Sequence, residues 1–218
     1  MQFANDDPSS TRRVQRLQEQ FERFYWVDGV EFTPDEARFI TQPEELQERN
    51  RVLARRLTTA GLIVDAFACV GGDAVSFALD LPSTMTIHAV QVARCDETRA
   101  RVGRLERNLR PYGARATVFG MAISEYLQTS NAVPISLLYL DPPWYADDHR
   151  AFTAPEIVDF LESEVFAHLR TPSPLIVCAK VPFPDFGPPS LAAYRRRLRL
   201  PVMRGRRVVY WFHLFFRE

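Results

Sequence analysis

The chain has 218 residues, 46% of them hydrophobic and 25% charged, with a formal net charge of zero. That is enough chain for one substantial core, and the neutral balance supplies no global field to draw in a polyanion, so any nucleic-acid contact has to be local. No apolar run approaches the roughly 20 residues of a membrane span, and Met1-Gln2-Phe3-Ala4-Asn5-Asp6-Asp7 carries no signal-peptide pattern, which predicts an intracellular protein without a membrane partner.

Apolar groups at Val14, Leu17, Phe21 and Phe24 predict a helix over Thr11 to Phe24, ahead of a turn at Asp28-Gly29. Thr41-Gln42-Pro43-Glu44 opens a second helix, with Thr41 as its cap, running to about Thr59. From Gly61 the pattern changes to strands and helices in alternation. The strands are Leu62 to Phe67, Thr86 to Val92, Ala116 to Phe119, Ser136 to Leu140, Leu175 to Ala179 and a closing run from Arg207 to Phe216. The helices are Ala74 to Leu79, Glu97 to Leu109, Pro155 to Leu169 and Leu191 to Leu198. This alternation predicts an α/β fold, a doubly wound and mainly parallel sheet over residues 59–218, preceded by a short N-terminal helical extension over 1–58. A monomer is the default expectation.

Ligands of such sheets bind beyond the carboxyl ends of the strands, near the switch in strand order. Two motifs fall at strand ends. Val64-Asp65-Ala66-Phe67-Ala68-Cys69-Val70-Gly71-Gly72-Asp73 combines an acidic strand end with glycines that let backbone approach a ligand at a helix N-terminus; alone, such a Gly-Gly is as often just a tight turn. Asp141-Pro142-Pro143-Trp144 is the sharper signal. Two prolines end a strand and donate nothing. A base amine has two hydrogens, of which Asp141 can accept one and the Pro142 carbonyl the other, while Trp144 offers a face for stacking a base. The plain alternative is a strand-ending Pro-Pro with a core tryptophan.

Around these loops the chain resembles the amino-group methyltransferases that carry an Asp/Asn/Ser-Pro-Pro-Tyr/Trp loop, and most closely the trimethylguanosine synthase family, which methylates N2 of the 7-methylguanosine RNA cap. Val64-Asp65-Ala66-Phe67…Val70-Gly71-Gly72 is similar to that family's cofactor motif, and Asp28-Gly29-Val30…Thr41-Gln42-Pro43-Glu44 resembles the segment before its catalytic domain. The resemblance implies a Rossmann-like class I methyltransferase with a seven-stranded sheet, S-adenosyl-L-methionine as cofactor, and capped RNA or another nucleic acid as partner. It implies Asp141, Pro142, Pro143 and Trp144 as the catalytic loop, and Asp65, Phe67, Cys69, Gly71, Gly72, Gln91, Met121 and Asp141 as the cofactor lining. Trp144, Tyr145, Lys180, Trp26 and Arg204 would meet substrate, with Tyr25 and Phe39 beside Trp26 as a roof over the base or as ordinary core. Three positions depart from the family pattern. Cys69 stands for a glycine, Gln91 for the acid that holds the ribose, and Met121 for the acid that holds the adenine amine. A non-catalytic RNA-binding relative is therefore one alternative, and an N6-adenine or N2-guanine methyltransferase on DNA or structural RNA is another.

The remaining signals are weaker. Arg195-Arg196-Arg197-Leu198-Arg199 and Arg204-Gly205-Arg206-Arg207 read either as a phosphate-binding patch or as a solvated helix face. Lys180, the chain's only lysine, is expected at the rim as a surface charge or a phosphate contact. Three scattered cysteines, Cys69, Cys95 and Cys178, suit neither a disulfide framework nor zinc; the four histidines share no ligand spacing, so no metal is expected. Among them only His149 falls near the catalytic loop.

Overall fold

In a computed structural model, residues 8–25, 30–38, 40–129, 134–145, 150–169 and 174–217 are described. Helices α1 (Pro8–Tyr25) and α2 (Pro43–Ala54) come first, then β1 (Gly61–Asp65), α3 (Gly72–Asp80), β2 (Met85–Val90), α4 (Asp96–Leu109), β3 (Ala116–Phe119), α5 (Ile123–Thr129), β4 (Ile135–Leu140), α6 (Ala154–Glu164), β5 (Ile176–Val181), β6 (Arg196–Arg204) and β7 (Arg207–Phe216). The strands make one sheet in the order β3-β2-β1-β4-β5-β7-β6. β1 to β5 are mutually parallel, and β7 inserts antiparallel between β5 and β6. The order reverses between β1 and β4, which are neighbours in space although two strands separate them in sequence.

β1, β4 and β5 are apolar almost throughout and buried, as strands covered on both faces must be. One face packs Ile63, Leu137, Tyr139 and Cys178 against α3; the other packs Val64, Leu138, Leu140 and Val177 against Ile157 and Leu161 of α6. A third cluster joins Leu17 and Phe21 of α1 to Val30, Ile40, Leu46 and Val70. The N-terminal region thereby lies directly on the turn after β1.

Three expectations are corrected. Leu191 to Leu198 is not a helix: a short 3-10 turn at Pro189–Leu191 leads into β6, because pairing with β7 along nine register positions outweighs the helical preference of Arg and Leu. β6 is an edge strand, which tolerates Pro201 and is lined with exposed arginines, so the Arg195 to Arg207 region is a hairpin rather than a helix face. Thr41 does not cap α2. Gln42 takes that position, its backbone amide donating to Glu45 Oε2 at 3.0 Å. A seven-residue helix, α5, goes unsignalled in the sequence; it lacks length and a strong cap and is held by burial of Ile123, Tyr126 and Leu127.

Arg49 of α2 is completely buried. Its guanidinium pairs with Asp73, donates to Asn50 Oδ1 and Ser76 Oγ at 2.9 Å each, and lies over the rings of Phe77 and Tyr139 at 4.3 and 4.7 Å. Removing one member of a buried pair strands the other charge. Arg49→Met is expected to lower stability by about 3–5 kcal/mol, read as a shift in the urea unfolding midpoint; a change below about 1 kcal/mol would mean that the pair is solvated.

Candidate active site

Asp65 ends β1 in register with Tyr139 of β4, and Asp141 follows β4 by one residue, so both carboxylates stand at the switch point. Sheet pairing carries past the strand, with the Ala66 amide donating to the Tyr139 carbonyl at 3.0 Å. Asp65 is 1% exposed, and neither of its carboxylate oxygens has a well-formed hydrogen bond among the described residues, the Phe67 amide giving its ionised form only weak support. Burial first, then the nearby Asp73, pushes its carboxyl well above the usual range. A buried acceptor without a donor is costly unless a ligand supplies one.

The turn after β1 is closed by local geometry. Gly71 caps α3 at φ 93°, and a Cβ there would lie 2.7 Å from Leu105 Cδ1, so only glycine fits. A Cβ on Gly72 would meet Ile40 Cγ2 at 3.4 Å and Phe21 Cζ at 3.5 Å: the N-terminal region roofs this glycine. Cys69 has φ 50°, in the left-handed region that favours glycine, and its amide donates to Gln91 Oε1 at 2.8 Å. The Gln91 carbonyl oxygen thus serves the turn, while its amide nitrogen donates to the Val92 carbonyl at 3.4 Å and keeps a second N–H for another acceptor. Met121 is half-buried against the α6 side of the sheet, as is Phe67, whose ring packs on Phe160 at 5.8 Å.

Lys180 is corrected. It lies at the end of β5 but is 3% exposed, not a surface charge. Its Nζ donates to Asp141 Oδ2 at 2.6 Å and to Thr41 Oγ1 at 2.9 Å, and sits 5.2 and 5.0 Å from the ring centroids of Trp144 and Tyr210. Two of the ammonium's three N–H groups are thereby engaged within the protein. Thr41 Oγ1 in turn donates to Asp73 Oδ2 at 3.1 Å. Burial raises the Asp141 carboxyl to about 6, against the opposing pull of Lys180. For Asp73 the balance reverses: Arg49 and Lys180 outweigh burial and hold it below the ordinary value.

In the Asp141-Pro142-Pro143-Trp144 loop Pro142 is buried and Pro143 exposed. Trp144 is half-buried, its indole N–H donating to the Lys180 carbonyl at 3.3 Å and its ring packed 5.5 Å from Tyr210. Its backbone carbonyl accepts from the Phe152 amide, and exposed Tyr145 bridges Ala151, so the chain returns on itself beside the loop. Arg204 stands at the β6–β7 turn and pairs with Glu45 at 3.3 Å, an oxygen of which also accepts from the Tyr210 hydroxyl. Trp26, Phe39 and His149 lie outside the described residues, as does the side chain of Tyr25. Sequence reasoning passed over Arg49, Asp73 and Tyr210. The available signal was Lys180 itself, a lone lysine in an arginine-rich chain placed at a strand end.

The sequence matches no protein-family model and no curated protein. Solved structures do match. A METTL16 MTase domain lacking an N-terminal part gives a TM-score of 0.64 at 11% identity, covering 96% of each chain. A putative rRNA-methylase from Clostridium thermocellum gives 0.53 at 10% identity, over 79% of this chain and 97% of that one. A putative O-methyltransferase from Klebsiella pneumoniae gives 0.53 at 12% identity, over 97% and 91%. The fold is that of the Rossmann-like methyltransferases. Among the described residues there is no cluster of potential metal ligands and no helix long and apolar enough to cross a membrane.

The three thiols test the closure of the glycine turn. Cys95 is exposed and its pKa lowered by Thr98, whereas burial pushes Cys69 up to about 11 and Cys178 up to about 12. In the folded protein dithionitrobenzoate is expected to modify Cys95 quickly, half-buried Cys69 slowly, and buried Cys178 only on unfolding. Fast reaction at Cys69, mapped by mass spectrometry, would mean that the turn opens.

Proposed function

We propose that this chain is an S-adenosylmethionine-dependent methyltransferase acting on the exocyclic amine of a nucleic-acid base, with the N2 amine of a 7-methylguanosine RNA cap as its substrate. The observation that carries the reading is the pairing, at one switch point, of the unpartnered buried carboxyl of Asp65 with the Asp141-Pro142-Pro143-Trp144 loop. The fold shared with methyltransferases, including the putative rRNA-methylase of Clostridium thermocellum, supports it. In this reading residues 59–218 are the catalytic domain, and residues 1–58, Trp26 included, help to form the substrate pocket.

Asp65 fits the ammonium of the cofactor's methionine end, beside Phe67, Cys69, Gly71 and Gly72. Gln91 and Met121 would face the adenosine end with fewer acceptors than two acids provide. Each lost hydrogen bond costs on the order of 1 kcal/mol, so affinity would be lower by a factor of about ten to a hundred. Bound there, the cofactor supplies an electrophilic methyl group on sulfur. Asp141 and the Pro142 carbonyl accept the two amine hydrogens and aim the nitrogen lone pair, Pro143 stiffens the loop, and Trp144 and Tyr145 hold the base. Once methylated, the amine nitrogen would be cationic and would shed its proton to solvent. Positioning supplies most of the rate. Arg204, with the rest of the β6–β7 turn, would meet phosphate.

Two measurements test this. In calorimetry at mildly acidic pH, cofactor binding is expected to release a proton. The free Asp65 carboxyl is raised and holds a proton; an ammonium beside it favours the ionised form, so affinity rises with pH and the apparent enthalpy follows the buffer's ionisation enthalpy. No binding at millimolar cofactor would overturn the enzyme reading and favour a non-catalytic RNA-binding protein, the reading that the Cys69–Gln91 bond and Met121 support. Methyl transfer is then expected to a 7-methylguanosine cap dinucleotide and not to unmethylated cap or short DNA. Equal transfer to capped and uncapped substrates would point to adenine or guanine amines of DNA or structural RNA instead. Trp144→Ala is expected to abolish cap binding while leaving cofactor binding within about twofold, about 0.4 kcal/mol; loss of both would make the tryptophan structural.

A further inference from the structure

The site contains an ion pair of which methyl transfer as described above uses only the carboxylate. Lys180 and Asp141 form it at the ends of adjacent strands, and their depths differ: the Lys180 side chain is 4% exposed, that of Asp141 17%. The cation therefore lies inward of the carboxylate. A lysine that merely plugged the pocket would stand at the mouth and release its ammonium to water. Here Nζ is held from below, by Thr41 Oγ1 and by two aromatic rings that suit a cation within about 6 Å. Only Oδ2 of Asp141 is tied; Oδ1 has no hydrogen bond to any described residue.

We propose that Lys180 is a positioning and specificity-determining residue, which keeps Asp141 an ionised acceptor with one oxygen fixed inward and the other presented to a neutral amine. This rests on the methyltransferase reading and extends it to substrate class. A buried carboxylate without a counter-charge takes up a proton or captures a cation. Protonated, Asp141 would oppose an amine hydrogen with one of its own. Left ionised and unpaired, it would prefer an alkylammonium, such as a protein lysine, to the neutral amine of a base. Lys180 removes both outcomes by filling the cation position from within the chain.

The charged and titratable groups around Asp141 support this assignment. Arg49 on α2 and Asp73 on α3 are engaged with each other; Asp65 on β1, Tyr139 on β4, Cys178 on β5 and Tyr210 on β7 are all pushed toward their neutral forms by burial, and so is the thiol of Cys69 in the glycine turn. Among these groups Lys180 is the cation in direct contact with the carboxylate.

The test is Lys180→Met, with Lys180→Gln beside it to keep an N–H donor for Asp141 and Thr41 while dropping the charge, should the methionine variant fail to fold. The Asp141 carboxyl is followed by carbon NMR of labelled aspartate, assigned with Asp141→Asn. In either charge-free variant its midpoint is expected to move up by about 1–3 pH units, the usual worth of a contacting opposite charge. The acid limb of the methyl-transfer rate should move with it, so that activity lost at neutral pH returns at alkaline pH. Added methylammonium, small enough for the space vacated in Lys180→Met, should restore activity at neutral pH. An unmoved carboxyl midpoint, or a rate lowered equally at every pH with no rescue, would overturn the proposal and make Lys180 a structural strut. Should the wild-type chain transfer no methyl group to any base, the methyltransferase reading falls, and with it the substrate assignment. The carboxyl midpoint would still decide whether Lys180 sets the charge of Asp141.

Discussion

The Arg49–Asp73 pair is the contact from which the rest of the rim is suspended. With no solvent around it, the guanidinium is held by Asp73, by two neutral side chains and by flanking aromatic faces, and the attraction of Asp73 outweighs the cost of burial and raises the Arg49 pKa. Asp73 then passes the connection on: its second oxygen takes the Thr41 hydroxyl, Thr41 takes Lys180, and Lys180 takes Asp141. One continuous chain of polar contacts therefore joins α2, α3, β5 and the loop after β4. Each member satisfies the next at low dielectric, where an unpaired group is expensive, so the segments are fixed relative to one another more firmly than apolar packing alone would fix them.

The same logic ties the N-terminal region to the glycine turn. Glu36, 2% exposed, accepts from Arg101 and Arg104 of α4, and Asn108 of α4 bonds both the Glu31 carbonyl and the Val70 carbonyl. Apolar contacts from Phe21 and Ile40 finish the cover over Gly72. The turn that resembles a cofactor motif is thus backed by protein on its N-terminal side and open to its neighbours through Asp65 and Gln91. Cys69 keeps a glycine-like backbone angle without being glycine, at the cost of some backbone strain, which the Gln91 bond helps to hold in place.

Much was legible because it depends on short-range pattern. Buried parallel strands write themselves as apolar runs, so β1, β3, β4, β5 and β7 fall within a residue or two of their expected positions, and Gly71 and the two prolines announce backbone constraints that few other residues meet. β6 was not legible. Its arginines and leucines suit a helix, and only the partner strand makes them an edge. Thr41 looked like a cap because a cap is a local role, whereas its actual partners stand 32 and 139 residues away.

From the sequence alone came the α/β alternation, the two motifs at strand ends and the absence of metal-ligand spacing, all of which follow from periodicity and from what single residue types allow. The tertiary structure alone decided the charge state of the site. Whether Asp65 is orphaned, whether Asp141 is paired, and whether Lys180 faces water or carboxylate depend on which distant groups share a water-free space, and a one-dimensional pattern carries no information about dielectric.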